Sequence, residues 1–353
     1  MERAPVYFLI PGDPDTPTGG FVYDRHAVRG LAEAGCLGAV VRIDGPFPAT
    51  DSDTLSKAAA AIAAIPDNAI VVVDGLGFAP LIEVIRPHAR RLALVALVHH
   101  PLGDETGLDA AERTRWLHAE VAALAVARRI ITTSRTTVTR LAELGIDRSI
   151  VHAVPPGVDG LIDLAFRETR SPDGPVRLLT VATLVPRKGQ DLLVGALANL
   201  ADRQWTADFV GDARNPDYAR RVADRIADSR LGTRITLHGA VSHDRLEPFW
   251  RRADLFVLPS RHEGWGIAFV EAVRWGLPVI GTTAGAIPEA VPSEAAILVP
   301  PDDLSALTAA LARVLDDPAE RNRLSAGAIR AAAGLRRWSD TAAEFAIAAT
   351  EGL

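Results

Sequence analysis

The chain has 353 residues, enough for two ordinary domains with a core each, and its 38 basic and 44 acidic residues leave a net charge of -6. With the two signs interspersed, no continuous phosphate-tracking surface is available and nucleic acid is excluded as a partner; the single Cys36 excludes an intrachain disulfide. The opening MERAPVYFLIPGD lacks the basic region and long apolar stretch of a signal peptide, and the purest apolar run, LALVALV at 92–98, is far short of the roughly 20 residues that span a bilayer, so a cytoplasmic enzyme is expected.

In chain order, short apolar runs bounded by turn residues predict strands at 6–10 (VYFLI), 39–43, 69–74 (AIVVVD), 92–98, 129–134 and 150–155. Ala-rich amphipathic segments at 22–35, 53–64, 109–127 and 135–144 predict the helices between them. This alternation is that of a parallel sheet wrapped by helices. PGVDGLIDLAFRETRSPDGPV at 156–176 mixes Gly, Pro and charge with little periodicity and reads as a linker. A second series follows, with strands at 177–184, 206–211, 234–239, 254–260, 278–283 and 295–300 and helices near 189–201, 216–229, 267–275 and 305–315. The predicted layout is an N-terminal α/β domain over 1–158, a linker over 159–176, a second α/β domain over 177–335, and a last helix over 336–353.

Open parallel sheets bind ligands beyond the carboxyl ends of their strands, where loops run into helix starts. The strand DLFVLPS ends in such a loop, with Arg261, His262 and Glu263, and Gly264, Trp265, Gly266 and Ile267 then open the helix that holds Glu271. Small residues there let the backbone approach a ligand, and the helix start favours an anion. Eight helical positions rise about 12 Å, the scale of a nucleotide sugar. Taken alone, the same two glutamates read as solvated or capping residues. Lys188, beside Gly189, reads either as a charge for a leaving phosphate or as a snorkelling surface lysine.

In the first half, Gly19 and Gly20 after PGDPDTPT read equally as a tight turn and as a close approach to donor phosphate or acceptor. His99 and His100 lie at the end of the fourth strand, one to face a ligand and one to pack, with His100 slightly favoured by its place before Pro101 and Leu102. Asp24 and Arg25, in or just before the first helix, read as contacts to an acceptor or, more simply and in preference, as a surface ion pair. The histidines show no helix-spaced pair and no cysteine partner, so no metal is expected. Arg86, His88, Arg90 and Arg91, with Arg113, Arg115 and Trp116, offer a basic surface to a lipid membrane, or are simply solvated.

Together these motifs resemble the retaining glycosyltransferases of family 4. The matching residues are Pro259, Ser260, Glu263, Gly264, Gly266, Glu271, Ala272, Gly276, Pro278 and Val279, then GTTAGAIPE at 281–289, PPGVD at 155–159, PRKG at 186–189, HGAVS at 238–242 and TGGF at 18–21. The resemblance implies the GT-B fold: two Rossmann-like doubly wound domains facing across a cleft, with a C-terminal helix crossing back to the N-terminal domain. It further implies that Glu263 contacts hydroxyls of the donor sugar, Glu271 holds the ribose, Lys188 neutralises the donor diphosphate, and a histidine at the place of His99 and His100 lies by the reacting sugar. Backbone near Val241 is implied to meet the base. The family pattern has a Gly-Arg pair before the lysine where this chain reads Ala182-Thr183, so the second diphosphate contact falls to Arg187 or to the uncharged Thr183.

The reaction implied is transfer of a hexose-type sugar, with retention, from a nucleotide-diphosphate sugar to a hydroxyl of a small molecule, glycan or lipid, with the donor as co-substrate and no cofactor. Related readings are an epimerase or phosphorylase of the same fold, and a sugar-nucleotide sensor without catalysis. The sequence sets no oligomeric state.

Overall fold

The structure, a computed structural model, describes residues 4–16, 18–160, 162 and 174–353, with the side chains of 243 and 244 left out. Most of the expected linker, at 161 and 163–173, lies outside the described residues. The chain divides into two compact units, Met1–Gly157 with Arg336–Leu353, and Val158–Leu335.

The first unit is built on a parallel sheet of β1 (Val6–Pro11), β2 (Leu37–Ile43), β3 (Ile70–Asp74), β4 (Ala93–Val98), β5 (Arg129–Thr132) and β6 (Val151–Ala153), in the order β2-β1-β3-β4-β5-β6. Every residue of β3 and β4 is buried, which is why both strands read as unbroken apolar runs, whereas β2 at the edge alternates in exposure. The flanking helices Gly19–Glu33, Ser52–Ala63, Ala110–Leu124 and Arg135–Glu143 begin on the capping oxygens of Thr18, Asp51, Asp109 and Ser134. Thr18 takes the Phe21 N–H at 3.3 Å and thereby starts the first helix three residues before the apolar periodicity does, so Gly19 and Gly20 form a helical first turn instead of a tight loop. Two single-turn helices, Gly75–Phe78 and Ile82–Ile85, follow β3.

The C-terminal helix Trp338–Thr350 packs on Gly19–Glu33. Contact is close because Gly30 has no side chain; a Cβ there would stand 2.1 Å from the Ala342 carbonyl oxygen. Trp338, 8% exposed, stacks on His26 at 4.0 Å between ring centroids, and Thr341 donates to the Pro155 carbonyl at 2.8 Å.

The second unit repeats the plan with β7 (Val176–Val181), β8 (Trp205–Val210), β9 (Ile235–Leu237), β10 (Leu255–Val257), β11 (Val279–Thr282) and β12 (Ala296–Val299), all parallel in the order β12-β11-β10-β7-β8-β9. Alternate strand residues feed two cores: Leu178, Leu255 and Val257 join one cluster, Leu179 and Phe256 the other. The helices Gln190–Ala198, Pro216–Asp228, Ile267–Arg274 and Leu304–Asp316 fall where periodicity predicts them. Helices His243–Arg252 and Pro318–Ala332 do not: the first is rich in charge and holds Pro248, and the second buries Glu320 and Arg321 among its apolar residues, which breaks the pattern. In both sheets the strand order reverses beside the first strand, between β1 and β3 and between β7 and β10. No helix among the described residues is long and apolar enough to cross a membrane.

Gly30→Ala is expected to lower stability by roughly 1–3 kcal/mol, because backbone must move to admit the methyl group. Gly232→Ala, with open space around the added carbon, should stay within about 0.5 kcal/mol of wild type. Thermal unfolding compares the two, and equal melting temperatures would show that the terminal helix is not docked this way.

Candidate functional site

The order reversal in the second sheet brings the loops after β7 and β10 side by side, and both carry the charged residues of the motifs. After β7 the turn Pro186–Lys188 ends on Gly189, whose left-handed backbone (φ +69) and missing Cβ let it pass the Pro259 carbonyl, which a Cβ would approach to 2.2 Å. Lys188 Nζ donates to Glu263 Oε1 at 2.6 Å, Arg187 Nη1 to Glu263 Oε2 at 3.2 Å, and Ser260 Oγ to Glu263 Oε1 at 2.6 Å. Glu263 is only 5% exposed. Burial alone would raise its pKa, but Lys188 and Arg187, with the Lys188 and Ser260 hydrogen bonds, hold it down to about 2. Two cations thus face one carboxylate on this turn, a setting that suits an anion.

A second layer of contacts fixes this cluster. The Arg261 N–H donates to the Arg187 carbonyl at 2.7 Å, while its guanidinium binds Asp191 through two bonds of 3.0 Å, Asp302 at 2.6 Å and the Pro186 carbonyl. Sequence reasoning placed Arg261 in the loop and gave it no task. Nothing local signals one, since its partners come from 41 to 75 positions away. Gly285 (φ +56) lies against Glu263, where a Cβ would stand 2.2 Å from the Glu263 carbonyl oxygen, and that oxygen accepts the Ala286 N–H at 2.9 Å. The AGA segment of GTTAGAIPE therefore backs the Glu263 loop.

Glu271 stands apart from this ion cluster. It is half-buried on the helix Ile267–Arg274, and its carboxylate accepts no hydrogen bond among the described residues. Burial pushes its pKa up to about 7, Asp159 adds to the rise, and Arg274 opposes it. The helix begins at Gly266 (φ +97) with no side chain capping its first N–H groups. Trp265 presents a buried indole N–H with no acceptor among the described residues. Gly264 is buried, and Trp265 and Ile267 are partly so. Thr183 lies in the turn after β7, its carbonyl accepting from Gln190 Nε2 at 3.0 Å. Of the two candidates for the missing arginine, it is Arg187 that stands in the ion cluster with Lys188. Val241, in the loop after β9, is partly buried against the core that holds Phe256 and Phe269.

The first unit has its own buried charge cluster, again beside an order reversal. His99 Nε2 lies 2.9 Å from Asp74 Oδ2 and 3.3 Å from Asp24 Oδ1. Asp24 is 0% exposed, which corrects the reading of Asp24 and Arg25 as a surface pair; Arg25 instead donates to the Pro14 carbonyl at 2.6 Å. His100, the slightly favoured histidine, faces Glu105 at 3.4 Å, and it is His99 that has the two carboxylates. Gly20 lies by the His99 ring, 3.5 Å from where its Cβ would be. Of the basic residues suggested for a membrane surface, Arg91 spends its guanidinium on the Ile62 and Ile65 carbonyls and Arg86 reaches the Ala122 carbonyl, so both serve helix ends.

Residues 8–160 match the model for Glycosyltransferase Family 4, and residues 162–331 match that for Glycosyl transferases group 1. The MMP alpha-(1->4)-mannosyltransferase of Mycolicibacterium hassiacum is 30% identical over 71% of this chain and 63% of its own. The D-inositol 3-phosphate glycosyltransferase 1 of Catenulispora acidiphila is 30% identical over 66% of this chain and 60% of its own. The chain thus matches about three-fifths of the length of these relatives. Among solved structures, a sucrose-phosphate synthase from Thermosynechococcus elongatus superposes with a TM-score of 0.80 at 23% identity, covering 97% of each chain. HepE from Anabaena, solved with UDP-glucose, gives 0.75 at 18% identity over 97% of this chain and 98% of its own. Both have the two-domain Rossmann-like α/β architecture seen here, the GT-B fold. Two family models that meet at residues 160 and 162 and run over nearly the whole of that fold make this chain a member of glycosyltransferase family 4.

Proposed function

We propose that the protein transfers a hexose-type sugar from a nucleotide-diphosphate donor to a hydroxyl acceptor. The observation that carries this reading is the Arg187–Lys188–Glu263 cluster, two cations and a buried carboxylate held together on two loops at the strand-order reversal of the second sheet. The donor diphosphate takes Lys188 and Arg187 as counter-charges. Glu263, relieved of part of its pairing, accepts hydrogen bonds from hydroxyls of the sugar. The uncapped start of the helix Ile267–Arg274 supplies N–H groups to the anion, and Glu271, whose carboxylate accepts no hydrogen bond among the described residues, accepts from the ribose. The backbone about Val241 meets the base. As the bond from sugar to diphosphate breaks, the positive charge is already in place, so leaving-group stabilisation lowers the barrier with no cofactor. No second carboxylate stands by as a covalent nucleophile in this cluster, and the reading is of attack on the same face of the sugar, with retention. The printed names of the relatives, a mannosyltransferase and an inositol phosphate glycosyltransferase, support a hexose donor and a polyhydroxylated acceptor for this chain too.

A panel of uridine, guanosine and adenosine diphosphate sugars, screened by thermal shift and then incubated with and without acceptors, tests the reading. One donor is expected to stabilise the protein, to be hydrolysed slowly alone and consumed faster with an acceptor. Lys188→Ala should lower kcat/KM by about a hundredfold or more and abolish the slow hydrolysis. Binding without any turnover would make the protein a sensor; an altered sugar nucleotide without acceptor would make it an epimerase, and dependence on inorganic phosphate a phosphorylase.

The two glutamates should separate kinetically. Glu271→Ala is expected mainly to raise the donor KM, and Glu263→Ala mainly to lower kcat; equal and negligible effects would count against both roles.

Glu271 also leaves a mark on stability. Its folded pKa of about 7 lies above the unfolded carboxylate range, so the folded protein holds a proton that the unfolded chain has lost. Stability therefore falls as pH rises between about 4.3 and about 7, and Glu271→Gln removes that loss. Its melting temperature should exceed that of wild type near pH 8, by about 2 kcal/mol or less in stability terms, and the gap should close near pH 4.5. A pH-independent difference would show that Glu271 ionises normally.

A further inference from the structure

The cluster around His99 is not accounted for by donor binding on the second unit. The helix Gly19–Glu33 brings Asp24, β3 ends on Asp74, and the segment after β4 carries His99; one ligating atom from each lies within 4.8 Å of the others. A single ring nitrogen serves both carboxylates. An N–H points well at one acceptor only, and Asp74 takes it at 2.9 Å. Asp24, at 0% exposure, is left with neither oxygen in a well-formed hydrogen bond among the described residues. A carboxylate so buried is expensive unless a positive charge faces it, and the His99 ring nitrogen at 3.3 Å supplies one when the ring is protonated. On the other side of the ring, Nδ1 has no hydrogen-bond partner among the described residues.

We propose that Asp24 is a positioning residue: with Asp74 it brackets the His99 imidazole at Nε2 and holds the ring as the imidazolium, with both nitrogens protonated, so that it meets the substrate as a hydrogen-bond donor through Nδ1 and not as the acceptor of the hydroxyl proton. What the ring meets rests on the transferase reading above; the state of the ring does not. In the transfer step the acceptor oxygen then bonds to the anomeric carbon as that carbon's bond to the diphosphate oxygen breaks, and the hydroxyl proton leaves on the diphosphate. The groups packed around the ring agree with this. Burial opposes charge on His99, but its bonds and attraction to Asp24 and Asp74 outweigh burial and raise its pKa far above the histidine range. Burial, and then Asp74, raise that of Asp24. Tyr23, edge-on to the ring at 5.5 Å, donates its hydroxyl to the Val154 carbonyl at 2.8 Å and stays protonated, its pKa raised chiefly by burial and by Asp24. Arg336 and Glu344 act on Tyr23 with opposite signs, Thr133 donates to the His99 carbonyl at 3.1 Å, and Trp338 and Phe345 present only aromatic rings to Tyr23.

Histidine ring signals followed by NMR against pH, with His99 assigned through His99→Gln, test the inference on the whole chain. In wild type His99 should not titrate between about pH 6 and 8. In Asp24→Asn, close in shape but without charge, its midpoint should fall by about one to three units. With the donor found above, kcat of Asp24→Asn should drop roughly tenfold or more, the donor KM should hold within about twofold, and a new inflection should enter the kcat–pH profile at the lowered midpoint. A wild-type His99 that titrates in the ordinary range would overturn the proposal, and that result needs no folded variant. So would an Asp24→Asn protein with unchanged midpoint and kcat. Calorimetric binding of Mn²⁺ or Zn²⁺ to wild type, lost in Asp24→Asn, would also overturn it by making the cluster a metal site. A ring that behaves as described in a protein that transfers no sugar would uphold the bracket and refute the transferase reading instead.

Discussion

A buried carboxylate needs its counter-charges held still, and much of the second unit's loop architecture follows from meeting that need for Glu263. Its side chain is almost wholly out of water, so the attraction of Lys188 and Arg187 is strong, and the loss of either would leave charge stranded. Both cations sit on a three-residue turn that could not hold its shape unaided. The turn is pinned from the neighbouring strand by the Arg261 N–H and guanidinium, passes the Pro259 carbonyl only because Gly189 has no side chain, and is matched on the far side by Gly285 under the Glu263 backbone. Three loops from three strands therefore converge on one ionic cluster.

The first unit solves a similar problem with the signs reversed. Two carboxylates surround one imidazole beside the order reversal of its sheet. In each unit charge is buried where the strand order turns, because there the loops beyond the carboxyl ends of adjacent strands run in opposite directions. Glycosyl transfer asks for fixed charge of this kind: a leaving diphosphate is stabilised best by dipoles and ions that do not reorganise when it departs.

Much of this was legible beforehand. Buried parallel strands such as IVVVD and ALVALV are apolar throughout because helices cover both faces, and this alone marks a doubly wound sheet. The Glu263 loop before a glycine-rich helix start, and the PRKG turn after the seventh strand, are the two segments whose charged side chains meet in the structure. Two helices escaped because their faces are not apolar: His243–Arg252 is largely charged, and Pro318–Ala332 buries Glu320, which pairs with Arg313 and Arg323, and Arg321, which donates to the Val314 carbonyl. Gly19 and Gly20 look like a turn in one dimension, and a single capping oxygen on Thr18 makes them helix.

The sequence by itself determined the two-fold α/β plan, the family and the loops of the site, since periodicity and motif spacing are local and need no knowledge of what lies across a sheet. Only the tertiary structure decided that His99 and not its neighbour meets two carboxylates, that Asp24 is buried, that Glu263 is already paired twice over, and that Arg261 braces the turn carrying both cations. These depend on strand order and register. Asp24 and His99, and likewise Lys188 and Glu263, are 75 residues apart along the chain, and strand order is what brings the first pair to 3.3 Å and the second into a 2.6 Å hydrogen bond.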